Sequence, residues 1–237
     1  RSADNVSAEI RLLKSQGYRA ISFIDDQFIW DTKRLQIIGD CLASNGFAWG
    51  CLARSDRINE DIARILAETK CSYVDIGVES FKQPILDDIK KDAVVEECLA
   101  SLALLKKYKV NVKLNVLIGA SPLETKETIR NTYAILKKVK PYAVMFSICN
   151  PFPGTEFWDV AMQNHWLLQK TYTPVDVQKE SSIAYPHLSK ETLEREVRWL
   201  NFKFYFSLHF LALALKSAIM NPRELVHGLK SIMRKLW

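Results

Sequence analysis

Five short apolar runs rich in β-branched and aromatic residues, separated by longer segments with helical spacing, constrain this chain more than any other feature. The runs are Arg19–Ile24, Phe47–Leu52, Ser72–Gly77, Val110–Ile118 and Tyr142–Cys149. Their length and composition predict buried strands. Between them, apolar residues recur on one helical face, as at Leu35, Ile38, Cys41 and Leu42, or at Ile129, Tyr133 and Leu136. Repeated strand–helix units imply parallel strands joined by right-handed crossovers. The expected fold class is therefore α/β. Five strands do not close an eight-stranded barrel, so a partial (β/α) barrel of parallel strands is expected, with any preceding strand lying before Arg1.

Helix starts carry their own signals. Asn59-Glu60-Asp61 and Ser189-Lys190-Glu191 each place a capping side chain before acidic first-turn residues. Ser121-Pro122-Leu123-Glu124 reads as a capping box, with Ser at the cap and Pro at the first helical position. After Pro151 the pattern changes, and from Ser189 onward only helical spacing is found. This divides the chain into a βα part, residues 1–160, and a helical carboxyl-terminal extension, residues 161–237.

The apolar stretch Phe204–Met220 contains His209 and Lys216 and sits at the short edge of what spans a bilayer, so a transmembrane helix is not expected. Pro222–Trp237 gathers Leu225, Leu229, Ile232, Met233 and Leu236 on one face, with Arg223, Lys230, Arg234 and Lys235 mostly elsewhere. A basic amphipathic helix of this kind is suited to peripheral contact with an anionic membrane, or to packing on the rest of the protein.

Composition narrows the classes further. A formal net charge of +6, without basic runs interleaved with aromatics, gives no reason to expect a nucleic-acid partner. Five widely scattered cysteines suit a reducing compartment, hence a cytoplasmic protein, rather than a disulfide framework. Four scattered histidines form no HExxH pattern. The chain opens on Arg1 in a charged helical stretch, as expected of a segment cut from a longer protein.

In parallel βα architecture, functional groups collect at the carboxyl ends of strands. The five runs end in Asp25-Asp26, Arg54-Ser55-Asp56, Glu79-Ser80, Gly119-Ala120-Ser121 and Asn150-Pro151. Two acidic sites and a guanidinium suit a zwitterionic, amino-acid-like ligand. Taken singly, Asp25 and Glu79 also read as helix caps and Arg54 as half of a structural ion pair.

At these positions the chain resembles the radical S-adenosylmethionine (SAM) superfamily, and within it the subgroup whose members often carry a cobalamin-binding domain before the barrel. The resemblance rests on the ordered set FIDDQF (Phe23–Phe28), WGCLARSD (Trp49–Asp56), DIGVES (Asp75–Ser80), LIGASPLET (Leu117–Thr125) and NPFPGTE (Asn150–Glu156). It implies SAM bound across the strand ends and cleaved reductively to a 5′-deoxyadenosyl radical, with a cobalamin-dependent methyl transfer as one outcome. By position, it implies Asp26, beside Asp25, at the methionyl amino group, Arg54 at the carboxylate, Glu79 and Ser80 at the methionine or ribose, and Ile118 and Gly119 against adenine. It also implies a [4Fe–4S] cluster held by a CxxxCxxC loop, which this sequence lacks, so the cluster ligands are expected upstream of Arg1. An amino-terminal cobalamin-binding domain of the same protein is the implied partner. Gly119–Thr125 carries one residue more than the family's Gly-x-Pro-Gly-Glu-Thr turn. Two alternatives stay open: a cluster-less domain that binds SAM or a partner, and an ordinary barrel enzyme with Glu79 and Asp26 as acid and base.

Overall fold

The computed structural model describes residues 1–169 and 171–220. Each predicted run forms one strand, within two residues at either end: β1 (Ala20–Phe23), β2 (Ala48–Ala53), β3 (Cys71–Glu79), β4 (Val112–Ile118) and β5 (Ala143–Ile148). They make one sheet in the order β1-β2-β3-β4-β5. Pairing is parallel from Ala20↔Ala48 to Phe23↔Cys51, and from Trp49↔Cys71 to Ala53↔Ile76 with a register shift at Trp49/Gly50. Sequential order with helical crossovers is the partial-barrel arrangement the alternation implies.

The described residues pack as two compact units, Arg1–Val78 with Ala93–Leu114, and Glu79–Asp92 with the described part of Asn115–Trp237. In the first unit, α1 (Ala3–Ser15), α2 (Thr32–Ser44), α3 (Glu60–Glu68) and α5 (Val95–Lys107) surround β1 to β3. Leu35, Ile38, Leu42, Ile65, Leu66, Val74 and Ile76 are almost wholly buried there. Each such side chain contributes about 1.5–3 kcal/mol through removal of apolar surface from water. The Trp49 indole N–H donates to the Thr69 carbonyl at 2.8 Å, so the largest core residue leaves no polar atom unpaired. Gly50 is required by close approach, because a Cβ at this position would run into the Tyr73 ring.

In the second unit, α4 (Gln83–Asp88), α6 (Lys126–Val139), α7 (Glu156–Gln163), α8 (Lys190–Tyr205) and α9 (Leu208–Met220) accompany β5 and the end of β4. Phe146, Ile148, Ile129, Leu193, Val197 and Leu200 form its core. Glu196 is buried on α8, and its carboxylate takes Arg130 at 3.0 Å and Lys126 at 3.7 Å from α6, so the buried charge is compensated. Between α7 and α8 the chain is irregular, with isolated antiparallel bridges at Leu167↔Ile183 and Tyr185↔Leu188.

Two of the expected caps form. Asn59 accepts from the Ile62 N–H at 3.0 Å and Ser189 from the Thr192 N–H at 3.3 Å. The capping box expected at Ser121–Glu124 does not. Helix α6 starts four residues later, capped reciprocally by Thr125 and Thr128, while Ser121 holds a tight turn by accepting from Leu123 N–H at 3.0 Å. Glu124 is turned into the protein and is 3% exposed.

Compactness does not bear on the division at residue 160, which remains a proposal. No described helix is long and apolar enough to cross a membrane. The basic amphipathic segment Pro222–Trp237 lies outside the described residues.

Candidate functional site

At the end of β3, Glu79 sits at φ +56°. The other non-glycine residues with positive φ, Lys70, Lys90, Lys109, Lys140 and His165, lie at or just beyond helix carboxyl ends, where left-handed backbone is a routine terminator. Glu79 ends a strand instead, and a long side chain there carries strain of the order of 1 kcal/mol that surrounding contacts must hold. One such contact is Lys91, whose ammonium reaches the Glu79 carboxylate at 3.0 Å with side-chain exposures of 27% and 18%. Glu79 is not a helix cap, since the residue preceding α4 is Lys82 and its side chain makes no capping bond. Ser80 is buried, and its hydroxyl accepts from the Lys82 N–H at 3.2 Å.

The loop after β4 is held more firmly. Gly119 lies at φ +73°, and a Cβ there would meet a Leu193 methyl at 3.1 Å, so both backbone and space select glycine. Its N–H donates to the buried Glu124 carboxyl, and its carbonyl accepts from the Tyr185 hydroxyl at 2.9 Å. The Ile118 carbonyl accepts from the Cys149 N–H at 2.8 Å. Ile118 and Gly119 are themselves buried, with these backbone groups engaged within the protein. After β5, Asn150 accepts from the Ser182 N–H at 2.6 Å and donates to the Glu180 carbonyl at 3.0 Å.

A cleft of about 770 Å³ within the second unit has Glu79, Lys91, Leu117, Ala120, Cys149 and Trp166 in its lining, whereas Ser80, Ile118 and Gly119 do not line it. That volume takes a nucleoside-sized ligand with an amino-acid tail. Of the charged strand-end residues that suggest a zwitterionic ligand, the cleft holds Glu79, with Lys91 as its cation; Asp25, Asp26 and Arg54 do not line it. Burial, with Glu79 and Glu124 nearby, pushes the Cys149 thiol up to about 11, so it is neutral at physiological pH and no thiolate nucleophile. Burial raises the Glu124 carboxyl to about 7 despite its bond from Gly119.

The remaining predicted residues belong to the first unit. Asp25 is exposed and borders a separate pocket of about 280 Å³ with Arg1, Glu9 and Arg34. Asp26 is exposed. Arg54 makes a two-pronged pair with Asp56, at 2.9 and 3.2 Å, the structural role open to it from sequence. Lys91, Cys149, Trp166 and Tyr185 escaped the sequence reading. No local pattern ties Tyr185 to Gly119 across 66 residues, nor Lys91 to Glu79 across a short helix.

The five cysteines are free. Cys51, Cys71 and Cys98 are buried, and Cys41 and Cys149 are half-buried. Among the described residues no three His, Cys, Asp or Glu side chains are grouped to hold a metal ion. The residues of this chain do not fit a three-thiolate iron–sulfur site.

Comparison with known proteins places these features. The family model described as the Radical SAM superfamily matches residues 1–136. An uncharacterized methyltransferase of Pyrococcus horikoshii is 28% identical over 210 residues, covering 86% of this chain and 45% of the relative. Bacteriochlorophyllide d C-12(1)-methyltransferase of Chlorobaculum tepidum is 22% identical over 140 residues, 58% of this chain and 30% of the relative. The chain thus spans less than half the length of these relatives. Among solved structures, the radical S-adenosylmethionine methyltransferase TsrM of Kitasatospora setae, with cobalamin and a [4Fe–4S] cluster bound, superposes with a TM-score of 0.62 at 18% identity, over 83% of this chain and 41% of that one. Coproporphyrinogen III oxidase of Escherichia coli gives 0.55 at 13% identity, over 85% and 44%. These two likenesses establish the fold.

Proposed function

This chain belongs to the radical SAM superfamily, and from that premise we propose that the protein carrying it cleaves SAM reductively. One electron enters the sulfonium, the C5′–S bond breaks, and methionine leaves with a 5′-deoxyadenosyl radical that takes a hydrogen atom from substrate. Methyl transfer is the proposed outcome, supported by relatives named as methyltransferases. SAM, a [4Fe–4S] cluster held outside this chain's residues, cobalamin and an amino-terminal cobalamin-binding domain are the proposed cofactors and partner.

The observation that carries this reading is Glu79. It closes β3 in a left-handed conformation, within the family's DIGVES motif, and presents a carboxylate beside Lys91 in the cleft. In the proposed roles, Glu79 binds the ammonium or a ribose hydroxyl of SAM, Lys91 holds that carboxylate in place, and Ser80 steadies the turn behind it. Ile118 and Gly119 are buried and flanked in sequence by Leu117 and Ala120 of the cleft lining; their place beside adenine is proposed from sequence order alone. Asp25, Asp26 and Arg54 are proposed from sequence order alone.

The test uses the whole protein, purified without oxygen and reduced with dithionite. SAM should give 5′-deoxyadenosine, and Glu79→Ala should lower the yield. Absence of product from a preparation with a verified cluster would contradict the reading. The poor fit of this chain's own cysteines to a cluster favours one second reading, a SAM- or partner-binding domain without catalysis. Binding of SAM without turnover would distinguish it.

A cytoplasmic setting and peripheral membrane contact through Pro222–Trp237 remain proposals. The exposed apolar side chains Phe202, Phe206, Leu208, Leu211 and Leu215, just before that segment, support the membrane contact. Co-sedimentation with anionic but not neutral vesicles tests it.

A further inference from the structure

Glu124 is a buried titratable group with no part in the proposed chemistry, and the helix-capping role its sequence context suggests belongs to Thr125 and Thr128. Its carboxyl accepts a bond from the Gly119 N–H. Its own carbonyl meets His187 Nε2 at 2.8 Å. On the other side of Gly119, Tyr185 bonds the carbonyl and packs its ring against Trp166 at 4.9 Å between centroids. Trp166 in turn lines the cleft, as do Ala120 and Pro122 from the loop itself.

We propose that Glu124 and Tyr185 are positioning residues for the cleft's ligand: together they hold the two backbone polar groups of Gly119 and so fix the Gly119–Pro122 loop as a wall of the site. This rests on the reading of that ligand as SAM.

The carboxyl can accept the Gly119 N–H in either protonation state, and burial favours the neutral one. Burial raises this group to about 7, whereas in a loop swung open to water it would titrate as an ordinary glutamic acid. Ionisation therefore favours the open loop, and the closed population falls as pH rises past neutrality. The titratable groups facing Glu124 are Cys149 after β5, with Tyr185 and His187 before α8; burial holds the first two neutral across this range. His187 bonds the Glu124 carbonyl, so the design must separate it from the Glu124 carboxyl.

The experiment measures SAM binding by anaerobic titration calorimetry on the whole protein at pH 6.5 and 8.5, comparing wild type, Glu124→Gln, Glu124→Ala and Tyr185→Phe. Wild type should bind several-fold more weakly at pH 8.5. Glu124→Gln, neutral at both values and still able to accept from Gly119, should show the same affinity at both. Glu124→Ala and Tyr185→Phe should be weaker throughout, by about tenfold for one lost bond of ordinary strength. If Glu124→Ala does not fold, the isosteric Gln and Phe variants still carry the test. A flat wild-type profile, or an inflection that survives in Glu124→Gln, overturns the inference while leaving SAM binding intact. Failure of the wild type to bind SAM at either pH sinks the SAM reading, and this inference with it.

Discussion

The polar residues at the strand ends of the two units are held in different ways. In the first unit, Asp25 and Asp26 stand exposed and Arg54 pairs with Asp56, two residues away, while the Ser55 carbonyl accepts from the Ser101 hydroxyl at 2.7 Å. In the second, the strand ends are tied beyond their own loops, Glu79 to Lys91 across a short helix, Gly119 to Tyr185, and Asn150 to Ser182 and Glu180. A local pair forms as readily in a loose loop as in a fixed one. Ties between distant segments exist only when the whole unit is folded, and they hold a site in shape before any ligand arrives. The second unit is therefore where preorganised binding is expected, with the exposed carboxylates of the first free to adapt.

The largest effect that sharpens this contrast concerns Glu124. Its carboxyl is raised from 4.5 to about 7 in the folded protein, so the folded state prefers the protonated form. The stabilisation is present in full below the unfolded value and is lost as pH rises through about 7, a swing on the order of 3 kcal/mol at most. Urea unfolding at pH 5 and 8 should show this loss in wild type and not in Glu124→Gln. Gly119→Ala comes next. Strain at positive φ and the Leu193 contact should together cost about 1–3 kcal/mol, read as a lower denaturation midpoint. Lys91→Ala should weaken SAM binding by about tenfold, the loss expected when a half-buried charge partner is removed from the binding carboxylate. The smallest effect belongs to the first unit: Asp56→Asn, which breaks a part-exposed local pair, should change stability by less than about 1 kcal/mol. A large effect at Asp56 with none at Lys91 would reverse the comparison.

Much of the fold was legible because strands and helices advertise themselves locally. The run VNVKLNVLI alternates by the period of a strand, and in β4 Val112, Leu114, Val116 and Ile118 are buried while the residues between them are half-buried. Asn59 and Ser189 cap as their neighbours suggest, since a cap depends on residues only three apart. Ser121–Glu124 misled for the same reason. It has the composition of a capping box, and only the packing of Tyr185 and Leu193 around Gly119 decides that Glu124 points inward instead.

The candidate site was legible as a set of strand ends and no further. Parallel topology tells which end of each strand matters, so Glu79 of the cleft lining could be named in advance, while Ile118 and Gly119, named through the family resemblance, do not line it. What completes the cleft comes from elsewhere in the chain: Lys91 beyond a short helix, Cys149 at the end of another strand, Trp166 and Tyr185 from the irregular segment before α8. Such partners are chosen by tertiary packing and leave no spacing to read.

The central claim, that the cleft beside Glu79 is where SAM binds, is tested most directly by an anaerobic crystal structure of the whole protein with SAM bound. The account predicts a polar atom of the methionine or ribose within hydrogen-bond distance of the Glu79 carboxylate, and adenine against Ile118 and Gly119. SAM bound with no contact to Glu79 and none to the Ile118–Gly119 segment would contradict it.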